Sequence, residues 1–280
     1  MLNCRHWLAT LSFLSLAGCV AVDSVPSPSP TGSPGNGKIA LSAADAEAIG
    51  RKIWKNECNG TVEGLTTWNS GEDFPSVGIG HFIWYVEGRP GPFKESFPPL
   101  IAYMQKTGVA VPRWVVESKG SPWKSQGEFN GARNSAQMKE LRQFLSKTVS
   151  TQTEFIVLRL EQALPKMKAA TSGEADRKRL DENFYKVAST RTGVYALIDY
   201  VNFKGEGVKT EEKYNGQGWG LRDVLLEMKR NSGGQEAANE FSEASKRVLK
   251  RRVDNSPAAR GESRWLAGWA NRCESYKHGF

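Results

Sequence analysis

The chain has 280 residues, 39% apolar and 24% charged, with 38 Lys and Arg against 30 Asp and Glu for a net charge of +8. That composition can bury a substantial core and excludes a disordered, collagenous or disulfide-dense chain, and no apolar run reaches the ~20 residues of a membrane span, which excludes a polytopic membrane protein. The positive balance favours acidic partners in general, whether nucleic acid, anionic lipid or an anionic wall polymer.

Arg5 and His6 precede a short apolar stretch, Leu8 to Leu16, of signal-peptide length. It ends in Leu16-Ala17-Gly18-Cys19, which resembles the lipobox of bacterial lipoproteins. The resemblance implies cleavage before Cys19, lipid on its thiol and a membrane anchor; an ordinary signal peptide cleaved nearby is the alternative, and both export the chain. Val20, where an Asp would retain the protein at the inner membrane, is similar to the pattern sorted to the periplasmic face of the outer membrane. Ser24 to Gly37 is rich in Ser, Pro and Gly and reads as a semi-extended tether. The expected organisation is a signal peptide over 1–18, a lipidated Cys and tether over 19–38, and one domain over 39–280.

Two cysteines fall in that domain, Cys58 and Cys273. A disulfide between them would close most of the domain into one loop and stabilise it by roughly 4–5 kcal/mol, in a compartment where disulfides persist. Two free buried thiols are the alternative. The histidines, His6, His81 and His278, show no ligand spacing, so no metal site is expected, and no other cofactor is implied.

In chain order, Ser42 caps a helix with Asp45 three positions on, and Ala46, Ile49, Ile53 and Trp54 recur at helical spacing until Asn59-Gly60. Two β-prone runs, Thr61 to Asn69 and Phe74 to Tyr85, flank the polar turn Ser70 to Asp73 and read as a hairpin. A Pro-, Gly- and Trp-rich stretch from Pro90 to Gly131 contains one helix over Phe97–Thr107. Further helices are expected over Ser135–Val149, Thr153–Ala170 with a kink at Pro165, Gly193–Phe203 as a buried central helix, Leu221–Arg230, Glu236–Asp254 and Arg260–Arg272. The fold class is α+β, mostly helical with a small β-hairpin lobe.

The chemistry concentrates between Glu57 and His81. A helix ending in the carboxylate of Glu57 feeds a hairpin whose turn carries Glu72 and Asp73, and whose second strand holds Ser76 and then Val77-Gly78-Ile79-Gly80-His81. Folding the hairpin back turns its acidic tip towards Glu57, an arrangement that glycoside hydrolysis uses. One protonated carboxyl serves the leaving oxygen, and a second supports the cationic sugar or activates water. Apolar neighbours such as Trp54 and Trp68 would raise the acid's pKa.

Glu57, the hairpin and Gly78-Ile79-Gly80-His81 together resemble the N-terminal lobe of phage-type lysozymes. The resemblance implies a lysozyme-like fold, with Glu57 as general acid and Ser76, in place of a Thr five residues before the His, orienting water. The family's Asp falls on Ser70, so Glu72 or Asp73 has to supply the second carboxylate from a reshaped turn. Glu63, in Glu63-Gly64-Leu65, is the alternative acid; Glu57 is preferred because helical periodicity ends there. Ala196 to Phe203 followed by Gly205 is similar to the family's central helix, Leu221 to Leu225 to the next one, and Val248 to Arg252 to its basic helix.

His81, Trp84, Tyr85, Asn202 and Trp219 are candidates for binding sugar rings and their polar edges. The alternatives are a structural histidine, core aromatics and helix termination. Lys246, Arg247, Lys250, Arg251 and Arg252 form a basic helix face, with no other nucleic-acid signature. The expected function is a peptidoglycan-degrading glycosidase of the cell envelope, with glycan strands as partner. Two other classes stand beside it: an inactive peptidoglycan-binding lipoprotein, and an envelope-assembly lipoprotein with a protein partner. A chitosanase-like hydrolase shares the layout, but the basic charge argues against a cationic substrate.

Overall fold

Ser42 accepts a hydrogen bond from the Asp45 amide at 3.1 Å and so starts α1 (Ala43–Cys58). Asn59, in the left-handed conformation at φ 54°, ends it as the sequence predicts. In this computed structural model residues 38–210 and 212–280 are described; the expected signal segment, Cys19 and nearly all of the tether lie outside the described residues.

Past α1 the chain makes one short 3₁₀ turn and then three two-residue strands, β1 (Thr66–Thr67), β2 (Ser76–Val77) and β3 (Phe82–Ile83). They form an antiparallel meander in the order β1-β2-β3, with Thr67 opposite Ser76 and Ser76 opposite Ile83. The single hairpin is thus corrected to three strands. The run Phe74 to Tyr85 breaks because Gly78 and His81 take positive φ, 76° and 47°, which extended backbone cannot accommodate.

The Pro- and Gly-rich stretch contains α2 (Phe97–Lys106) as expected, and also two shorter helices, α3 (Arg113–Glu117) and α4 (Gln126–Gly131). Its aromatics close over the sheet. The Trp84 ring centroid lies 4.6 Å from that of Phe97, 6.2 Å from Trp114 and 6.3 Å from Trp123.

The helical bulk follows: α5 (Ala136–Lys147), α6 (Val149–Ala169), which runs on through Pro165, α7 (Glu174–Val187), which the sequence reading passes over, and α8 (Arg191–Lys204). A second small sheet, β4 (Lys213–Tyr214) and β5 (Gln217–Gly218), turns at Asn215-Gly216, where both residues have positive φ as a tight hairpin demands. The last helices are α9 (Leu221–Glu227), α10 (Gly234–Asn255) and α11 (Ser263–Glu274). Every residue of α8 from Thr192 to Tyr200 is buried, and the helix is surrounded by α1, α6, α7, α9 and α10. A helix covered on all sides reads as nearly all apolar, which is why its sequence marks it as central. Among the described residues the chain is therefore mostly helical with two small antiparallel sheets, within the α+β class.

Candidate active site

Glu57 occupies the last turn of α1 with its side chain 23% exposed, and its Oε1 lies 3.7 Å from Arg272 Nη2 of α11. That guanidinium is already engaged: Arg272 Nε and Nη2 donate to Asp199 Oδ2 and Oδ1 at 2.7 and 2.8 Å. Asp199, 4% exposed in the middle of α8, also accepts from the Tyr276 hydroxyl at 2.6 Å and the Tyr195 hydroxyl at 3.4 Å. Asn56, the neighbour of Glu57, donates to the Tyr195 hydroxyl at 2.6 Å. The network thus ties the ends of α1 and α11 to α8. Burial disfavours the Arg272 charge, but the hydrogen bonds and charge of Asp199 override it and raise the guanidinium above its ordinary range. Burial, with Asp199 beside them, raises the Tyr195 and Tyr276 phenols, which stay neutral donors.

Cys58, the next residue, packs against the segment Gly78 to His81. The Cys58 thiol lies 3.5 Å from His81 Nε2 and 3.7 Å from the Gly78 carbonyl. Gln152 of α6 fastens this segment: its Oε1 accepts from the Ile79 amide at 2.9 Å, and its Nε2 donates to the Leu145 carbonyl at 2.7 Å. A Cβ at residue 78 would meet Gln152 Oε1 at 2.5 Å, so the close approach itself requires glycine. Gln152→Leu leaves a buried amide without its acceptor and is expected to cost about 1–3 kcal/mol, measurable as a lowered urea midpoint.

Cys58 and Cys273 are both free and buried, which corrects the expected disulfide. Each is sealed in its own surroundings: Cys58 against the Gly78–His81 turn, Cys273 in α11 packed on α10, where its carbonyl accepts from Ser242 Oγ at 2.7 Å. Burial and then the Glu57 charge push the Cys58 thiol up to about 12; burial and then Asp199 push Cys273 up to about 12. Neither thiol is expected to react with a disulfide reagent at pH 8 in the native protein, and both should react once it is denatured, a count that Ellman titration supplies directly.

The tip acids form a second group. Glu72 is held in the β1–β2 loop by Trp68 Nε1 donating to its carbonyl at 2.6 Å and by Asn69 Nδ2 donating to its Oε2 at 3.0 Å, while Asp73 is exposed. Both line a cleft of about 520 Å³ with Trp68, Tyr85, Arg89 and Phe93; Glu57 is not among its walls. Tyr85 lines the cleft but is only 6% exposed, and its hydroxyl accepts from the Phe93 amide at 3.1 Å, which corrects it as a sugar platform. Ser76 is 2% exposed in the middle strand, so its hydroxyl has almost no access to solvent. Glu63 is exposed on the 3₁₀ turn, where its charge acts on Arg142.

Two further candidate sugar platforms are corrected. Trp84 is 2% exposed and packs inside the aromatic core described above. Trp219 is likewise buried, its ring 4.6 Å from Tyr214 and covered by the Arg252 guanidinium at 4.1 Å. Asn202 is exposed near the end of α8. The basic helix face is paired: Arg247 and Arg251 with Glu227, Lys250 with Asp254, Lys246 with Glu243 and Glu274, and Arg252 with Glu262.

Arg272, Asp199, Tyr276 and Tyr195 escaped the sequence reading. The available signal was Asp199 itself, one acid in an otherwise apolar helix, since a buried carboxylate requires a cation or donors. Among the described residues no group of three potential ligands for a metal ion occurs, and no helix is long and apolar enough to cross a membrane. Comparison with family models, with curated protein sequences and with solved structures finds no match.

Proposed function

We propose that the protein is a peptidoglycan-degrading glycosidase of the lysozyme-like type, anchored through Cys19 at the periplasmic face of the outer membrane. The observation that supports it best is the placement of Glu57: a partly exposed carboxylate at a helix end, fixed by a guanidinium that a buried aspartate largely neutralises. A carboxylate facing a fully available guanidinium would be held ionised. Here Asp199 takes two of the Arg272 donors, so Glu57 faces a guanidinium that is already paired. In this reading Glu57 protonates the glycosidic oxygen. Glu72 or Asp73 supports the oxocarbenium-like transition state or activates water, from a cleft where the exposed Phe93 receives a neighbouring sugar.

A second reading is favoured by one observation, the separation of Glu57 from the walls of the cleft that carries the tip acids. It makes the protein a wall-binding module without catalysis. Muropeptide release from purified peptidoglycan, run beside Glu57→Gln and Glu63→Gln, decides between them. Release that Glu57→Gln alone abolishes supports the enzyme. No release by the parent, with co-sedimentation on intact walls, supports the binding module and ends the glycosidase reading.

A further inference from the structure

The positive charge of the chain is concentrated. Between Glu87 and Lys147 there are ten Lys and Arg against five Glu and no Asp, an excess of five in a chain whose net charge is +8. The basic face of α10 is neutralised by its own acids, as described above. The cations of the earlier segment are not. Arg89, Lys94, Lys119 and Lys124 are exposed, and none enters an ion pair among the described residues. The acids nearby are mostly engaged: Glu95 accepts from the Tyr85 amide at 2.7 Å, Glu128 from the Lys124 amide at 2.8 Å, and Glu117 pairs with Arg113 at 2.6 Å. Glu87 and Asp73 are the exposed acids beside them.

The same lobe displays an apolar ring. Phe93 is the most exposed large apolar side chain among the described residues, at 55%, and lies in Arg89-Pro90-Gly91-Pro92-Phe93-Lys94 between two of those cations. The loop is braced from beneath. The Tyr85 hydroxyl accepts from the Phe93 amide and donates to its carbonyl at 3.3 Å, and a Cβ at residue 91 would meet the Tyr85 ring at 2.5 Å. Arg89 Nη1 donates to the Lys124 carbonyl at 3.1 Å, which ties the loop to the segment before α4. Lys119 stands on the far side of that tie, where a second cleft of about 670 Å³ shares Arg89 and Lys124 with the first. An aromatic ring at the tip of a fixed loop, with unpaired cations around it, suits a surface that is anionic on top and apolar below.

We propose that the loop Arg89–Lys94, together with Lys119 and Lys124, docks the domain on a bilayer that carries anionic phospholipid headgroups. This goes beyond the glycosidase reading and rests on one part of it, the lipid at Cys19. Eighteen residues separate Cys19 from Lys38 and reach at most ~65 Å when fully extended, so the anchor holds the domain within that distance of a membrane. At the effective concentration this sets, a weak surface contact is populated. Phe93 also borders the cleft with the tip acids, so a domain docked through it withholds that ring from a sugar.

Flotation of the mature chain from Val20, which lacks the lipid and keeps every described residue, tests the surface on two kinds of vesicle. The chain is expected to float with an equal mixture of phosphatidylcholine and phosphatidylglycerol, to stay behind with phosphatidylcholine alone, and to be released by high salt. Phe93→Ala should weaken binding to the mixture by about tenfold, and Lys119→Gln with Lys124→Gln by about tenfold or more. All three side chains are exposed, and unchanged urea midpoints show that the variants fold. No flotation with the mixture, or equal flotation with both vesicles, overturns the surface. So does binding that needs the lysines and ignores Phe93→Ala, which assigns the cations to a soluble polyanion. Vesicle binding is read without wall and muropeptide release without vesicles, so a failure of either reading leaves the other standing.

Discussion

Glu57→Gln is expected to lower muropeptide release by about 10²–10⁴-fold, the usual worth of a positioned general acid, while wall binding and unfolding temperature stay close to the parent's. The amide keeps the shape of the carboxyl, and its oxygen can still face Arg272 3.7 Å away. What it loses is the transferable proton. Glu63→Gln, on an exposed turn, should retain full release and change stability by less than about 0.5 kcal/mol. Should Glu63→Gln be the inactive variant instead, the acid has been placed one turn too early.

Asp199→Ala is expected to destabilise the protein by about 3–5 kcal/mol, because it strands the Arg272 charge and removes the acceptor of the Tyr276 hydroxyl in one step. Urea unfolding measures this. The same change should shift activity. With Asp199 gone, the guanidinium has only Glu57 to face, which favours the ionised carboxylate and lowers its pKa. An acid that works protonated then loses function at lower pH, so the alkaline limb of the pH–rate profile should move towards acid. Pairing Asp199→Leu with Arg272→Met removes both buried charges together and should recover much of the lost stability without recovering the anchoring of Glu57. If the single and double changes are equally destabilising, the ion pair is not what the buried network contributes.

Local chemistry made much of the fold legible. Ser42 and Asn59 mark both ends of α1 because capping is decided within a few residues. The apolar run after Gly193 announces α8 because burial on every side leaves its mark on every position. α7 was not read because its buried residues, Leu180, Asn183, Phe184 and Val187, form one narrow stripe among charges. The strand break at Gly78 and His81 depends on the backbone meeting Gln152, which lies 73 residues further along. The site was half legible for the same reason. Glu57 sits at a readable helix end, but Asp199 and Arg272 are 73 residues apart and Asn56 and Tyr195 are 139 apart, so no spacing joins them. Trp84 and Trp219 misled because exposure, which a platform needs, is set by Phe97, Trp123 and Arg252 from other elements.

The pairing of Glu57 with Arg272 has a consequence for the order in which the protein is made. Synthesis presents α1 first and α11 almost last, so the emerging chain carries its carboxylate long before the counter-charge that positions it exists. A product truncated before α11 would lack the counter-charge that Glu57 faces and the cation that Asp199 holds. Such a product is both unanchored at the acid and destabilised at the centre, which makes completion of the chain a condition for the chemistry as well as for the fold.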